Sequence, residues 1–87
     1  MPKISKEKKD KISEHILSLL LEKFPKAQFT SHIAKEIARD EEFTKELLSN
    51  LKNQGLVLSI QKNSKGVEYL KRIRWRLSNN AYNTLKH

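Results

Sequence analysis

The sequence predicts a small, mainly α-helical fold with one β-hairpin (α+β), in the order α-α-α-β-β-α. Three observations predict it. Apolar residues recur at helical spacing as far as Leu51, and the pattern then changes to a period of two from Val67 to Leu77. The two Gly and two Pro stand only at the margins of these periodic stretches, where turns belong. The 87 residues give room for one hydrophobic core, so one domain is expected over 1–87, with 1–10 as a basic arm or the start of the first helix.

The first helix is expected to begin at Ser5, whose hydroxyl can cap it, with Glu7 favourably placed in its first turn. Ile12, Ile16, Leu17, Leu19, Leu20 and Phe24 then form an apolar stripe that Pro25 ends. Leu21 widens the stripe and reads as core, the alternative being a flank that meets a second subunit. Pro25 to Gln28 reads as a connection. Thr30 or Ser31 can cap a short second helix with Ile33, Ala34, Ile37 and Ala38 on its apolar side, ending near Arg39.

Asp40 is the expected cap of the third helix, with Glu41 and Glu42 in the turn where the helix dipole favours acids. Phe43, Leu47, Leu48 and Leu51 make its inward stripe, and Gly55 stops it by taking the left-handed conformation. With almost no linker between them, helices two and three must meet at a sharp turn. Leu56 to Ile60 suits a strand, Asn63-Ser64-Lys65-Gly66 a turn, and Val67 to Leu77 a second strand, giving a hairpin over 56–77. On that second strand Val67, Tyr69, Lys71, Ile73, Trp75 and Leu77 share one face, while Glu68, Leu70, Arg72, Arg74 and Arg76 share the other. Ser78 can cap a last short helix whose Ala81, Tyr82 and Leu85 return to helix one.

This order resembles the winged helix-turn-helix domain, and two stretches carry the likeness. Leu51-Lys52-Asn53-Gln54-Gly55-Leu56-Val57 is similar to the end of the third helix in many small prokaryotic transcription regulators of that type. Trp75-Arg76-Leu77-Ser78 is similar to the end of their second wing strand, and Ile33-Ala34 occupies a like position in the second helix. The resemblance covers roughly residues 10 to 85. It implies double-stranded DNA as partner, with the third helix in the major groove, the hairpin on the backbone or minor groove, and a homodimer as the assembly.

The charges fit such a partner. Net charge is +8, but residues 12–57 carry six bases against seven acids, whereas 58–87 carry seven bases against one acid. Residues 1–11 add five lysines against two acids. Positive charge at both ends of a near-neutral middle is the footprint of a protein that meets a polyanion, the alternative being a merely basic surface. With the third helix's apolar stripe inward, Glu42, Lys45, Glu46, Ser49, Lys52 and Asn53 point outward. Lys45, Ser49, Lys52 and Asn53 offer the donors and acceptors that base edges and phosphates require, while Glu42 and Glu46 repel phosphate. On the hairpin, Arg72, Arg74 and Arg76 recur at about 6–7 Å along one face, near the phosphate spacing of a DNA strand, and Lys62 and Lys65 lie at the turn. The alternative for these arginines is a soluble strand face guarded against edge pairing. Trp75 and Tyr69 belong on the apolar face as core, rather than stacked on an unpaired base.

Other functions find little in the sequence. Without cysteine there is no disulfide, thiolate zinc site or cysteine nucleophile. His15, His32 and His87 have no ligand spacing among themselves; His32 and Glu36 read as a solvated i,i+4 pair. No phosphate-binding glycine loop, nucleophile elbow or carboxylate cluster occurs, so no enzyme, metal, cofactor or small-molecule ligand is expected. Ser18 splits the longest apolar stretch, far short of the roughly 18–20 residues of a membrane span, and the lysine-rich start lacks a signal core, so cytoplasmic residence is expected. Two rival readings remain: an RNA- or ribonucleoprotein-binding winged helix that uses the hairpin alone, and a protein-interaction module.

Overall fold

A computed structural model describes residues 5–60 and 73–86. In chain order the elements are α1 (Lys6–Lys23), β1 (Gln28–Phe29), α2 (Thr30–Glu36), α3 (Glu41–Asn53), β2 (Val57–Ile60), β3 (Arg74–Leu77) and α4 (Asn79–Leu85). Among the described residues, four helices and a three-stranded antiparallel sheet, ordered β1-β3-β2, make a winged-helix fold.

Local chemistry sets most of the boundaries. The Ser5 hydroxyl accepts from the Lys8 N–H at 3.2 Å, and an Asp40 carboxylate oxygen accepts from the Phe43 N–H at 2.7 Å, so α1 and α3 start where their caps stand. Ser78 caps α4 by accepting from the Ala81 N–H at 3.1 Å while its hydroxyl donates to the Gly55 carbonyl at 2.9 Å. That single side chain therefore joins the start of α4 to the turn that ends α3.

Three expectations need correction. β1 falls in what reads as a connection: Gln28 pairs with Trp75 and Phe29 with Arg74, which makes β3 the central strand rather than the edge of a lone hairpin. Helix α2 has Phe29 at its cap position with no side-chain bond, because the Thr30 hydroxyl is committed elsewhere. On α3 the fully buried residue beside Leu47, Leu48 and Leu51 is Thr44, whereas Phe43 is half-buried. At 100° per residue Thr44 sits in the middle of that stripe and Phe43 at its edge. Its hydroxyl donates to the Asp40 carbonyl at 2.8 Å, which makes the burial tolerable.

The core lies where α1, α2, α3 and the inner face of the sheet converge. Ile16 and Leu20 enter it from α1, Ile33 from α2 and Ile37 from its C-cap, Val57, Trp75 and Leu77 from the sheet, and Ile73 from just before β3. Each fully buried Leu or Ile contributes about 1.5–3 kcal/mol relative to exposure. Trp75 is core, as expected, and its indole N–H donates to Thr30 Oγ1 at 2.8 Å. Ala81 is buried and the Tyr82 ring stacks on Phe24 at 4.0 Å, so α4 does return to the end of α1.

Candidate nucleic-acid interface

The geometry of α3 follows from its two ends. Asp40 fixes the start, and the finish is a paired reversal: the Leu56 N–H donates to the Leu51 carbonyl at 3.0 Å and the Gly55 N–H to the Lys52 carbonyl at 2.9 Å. Gly55 has φ +79°, the left-handed value this reversal requires. With Thr44, Leu47, Leu48 and Leu51 buried, the opposite face is free. Lys45, Lys52 and Asn53 are exposed there and Ser49 is half-buried. Glu42 and Glu46 are exposed on the same helix, which keeps this face near neutral.

Asn50, which the outward set read from the sequence omits, is also exposed. Around the helix it lies between Glu46 and Phe43, and it adds an amide with two donors and an acceptor. The helical wheel held this signal, since Asn50 falls outside the apolar stripe. At the turn between α2 and α3, the Arg39 guanidinium lies 5.9 Å from the Phe43 ring centroid.

The hairpin residues divide. Arg74 and Arg76 share the outer face of β3, since Trp75 between them is buried. Arg74 is exposed, with its guanidinium 5.8 Å from the Phe29 ring centroid. Arg76 is half-buried: its Nη1 donates to the Leu77 carbonyl at 2.9 Å and the guanidinium lies 5.9 Å from the Phe24 ring centroid. Expected as a phosphate contact, Arg76 thus has partners within the fold. Lys62, Lys65 and Arg72, with Tyr69 and Lys71, lie outside the described residues.

Among the described residues no group of three or more His, Asp or Glu side chains is placed to hold a metal ion. His32 and Glu36 are exposed on the rim of an open groove of about 450 Å³, lined also by Lys23, Gln28 and Lys35. Phe29 meets the His32 ring edge-on at 5.8 Å. No helix among the described residues is long and apolar enough to cross a membrane.

No protein-family model and no curated protein matches the chain. Solved structures do. The Staphylococcus aureus MepR–DNA complex superposes with a TM-score of 0.74 at 20% identity, covering 92% of this chain and 63% of that one. MepR alone, a transcription regulator of the S. aureus multidrug efflux pump MepA, gives 0.69 at 20% identity over 86% of this chain and 51% of its own. A single-site cysteine mutant of Lactococcus lactis ZitR gives 0.68 at 24% identity, over 98% and 53%. The chain spans less than two thirds of the length of each of these structures, and at such identities the likeness establishes the winged-helix fold.

Proposed function

We propose that this chain is a double-stranded DNA-binding winged-helix transcription regulator, with α3 in the major groove and the basic hairpin along the backbone or minor groove. The observation that carries the reading is the pose of α3: one face wholly committed to the core, the other presenting Lys45, Ser49, Asn50, Lys52 and Asn53. Asn can pair with adenine and Lys with guanine through the major groove. Arg74, exposed at the base of the hairpin, supplies a phosphate contact, joined by Lys62, Lys65 and Arg72 from the same hairpin in sequence. The superposition on a MepR–DNA complex supports the same use of the fold.

The active species in this reading is a homodimer. Its support is the flank of α1 where Leu17 and Leu21 line a groove of about 210 Å³ with Leu85 of α4, which is 37% exposed. Selection of binding sites from a random duplex pool tests both parts. A dimer whose α3 reads bases enriches a two-fold symmetric sequence with half-sites about 10 base pairs apart. Lys45→Ala, Ser49→Ala and Asn53→Ala each relax preference at one position of it, by about 1–3 kcal/mol per lost bidentate contact. Equal losses on every sequence contradict base reading by α3, and enrichment of a single unrepeated site contradicts the dimer.

One observation favours a second reading. The exposed Glu41, Glu42 and Glu46 repel phosphate from the first half of α3, as in an RNA-binding winged helix that relies on its hairpin. Structured RNA preferred over duplex DNA at equal salt would establish it.

A further inference from the structure

We propose that Arg76 is a positioning residue that fastens the hairpin to the helices, and that Arg74 is the arginine of β3 that meets phosphate; this deepens the DNA-binding reading above and rests on it. Strand β1 is only two residues long. It pairs with β3 only at Gln28↔Trp75 and Phe29↔Arg74. On that edge the Ile73 carbonyl accepts from the Thr30 N–H at 3.2 Å. Alternation along a strand turns the carbonyls of Ile73, Trp75 and Leu77 to the same side, so the Leu77 carbonyl lies past the end of β1, where no strand donor reaches it. Arg76 Nη1 fills that place at 2.9 Å.

The same guanidinium lies against Phe24, the residue that caps the C-terminus of α1. Phe24 stacks on Tyr82 of α4 with the ring planes 11° apart, and Lys86 Nζ lies 5.6 Å from the Tyr82 centroid. Arg76, Phe24, Tyr82 and Lys86 thus link β3, the end of α1 and α4. Drawing Arg76 out to a phosphate would break its carbonyl bond and its aromatic contact together. Arg74 carries no such cost: it is exposed, and a guanidinium over Phe29 keeps its N–H edge open to an anion.

The test compares Arg74→Ala, Arg76→Ala, Arg76→Lys and Phe24→Leu in the full chain. Thermal melting and near-UV circular dichroism are read without DNA, and affinity for a random duplex is read across a salt series. Arg74→Ala is expected to lower the slope of log affinity against log salt by about 0.9, the value of one phosphate contact, with melting unchanged. Arg76→Ala is expected to melt several degrees lower and alter the aromatic signal. While folded it keeps the full salt slope and binds about fivefold more weakly, the scale of one lost cation–π contact. Arg76→Lys, which keeps the charge but loses the planar fork, and Phe24→Leu, which removes the ring, are expected to follow Arg76→Ala.

A slope lowered by about one unit in Arg76→Ala and restored in Arg76→Lys, with melting unchanged, would overturn the assignment. Should the wild-type chain bind no duplex, the DNA reading fails by itself. The fastening role still stands or falls on the melting and aromatic signals, and an Arg76→Ala variant identical to wild type in both would end it.

Discussion

Thr30 fills both hydrogen-bonding roles of its hydroxyl. Oγ1 accepts the Trp75 indole N–H at 2.8 Å and donates to the Ile73 carbonyl at 3.3 Å, linking the start of α2 to β3. Thr30→Val keeps the shape but removes the hydroxyl, leaving the indole N–H of a buried tryptophan unpaired. The expected loss is about 1–3 kcal/mol, measured by urea unfolding followed through Trp75 fluorescence, with Thr30→Ser near wild type. A Thr30→Val variant as stable as wild type would mean that this bond contributes nothing net. The sequence placed Trp75 in the core, since it alternates with Ile73 and Leu77. It did not reveal its partner: a threonine before an amphipathic stretch looks like a helix cap, and the groups that claim its hydroxyl lie 43 and 45 residues away.

The ends of α2 and α3 use one device with different residues. At α3 the reversal is made by Gly55 at φ +79°. At α2 the Arg39 N–H donates to the Ala34 carbonyl at 3.0 Å and the Ala38 N–H to the Lys35 carbonyl at 3.2 Å, with Ala38 at φ +57°. An L-residue held there costs roughly 1–2 kcal/mol, partly offset because glycine loses more freedom on folding. Ala38→Gly is therefore expected to raise stability by about 0.5–1 kcal/mol in thermal or urea melts, and an unchanged or lower melting temperature would contradict it. The contrast explains what was legible at this scale. Gly55 announced the end of α3, but Ala38 reads as one more apolar position of α2 and is exposed. Strand β1 escaped notice because two residues carry no periodicity, and their pairing partner is far along the chain.

At the scale of the whole molecule, the order of amphipathic segments sufficed for the winged-helix fold, because each helix face and the alternation through Trp75 point to one common core. The candidate interface was legible in proportion to how local its determinants are. The free face of α3 follows from a single stripe, although Asn50, at its edge, was missed. Arg76 could not be separated from Arg74 by sequence, since strand alternation gives both the same face and only the short reach of β1 and the position of Phe24 distinguish them. The charge distribution is a property of the entire chain: the near-neutral middle supplies α2 and α3, and the surplus lies at the two ends. Affinity in this account therefore comes largely from phosphate contacts and preference from α3. The most direct test is fluorescence anisotropy of a labelled random duplex of about 25 base pairs titrated with the protein across a salt series, beside a structured RNA at equal salt. Duplex binding is expected, with log affinity falling steeply and linearly, by several units per decade of salt. No binding at low salt, or a preference for the RNA, would contradict it.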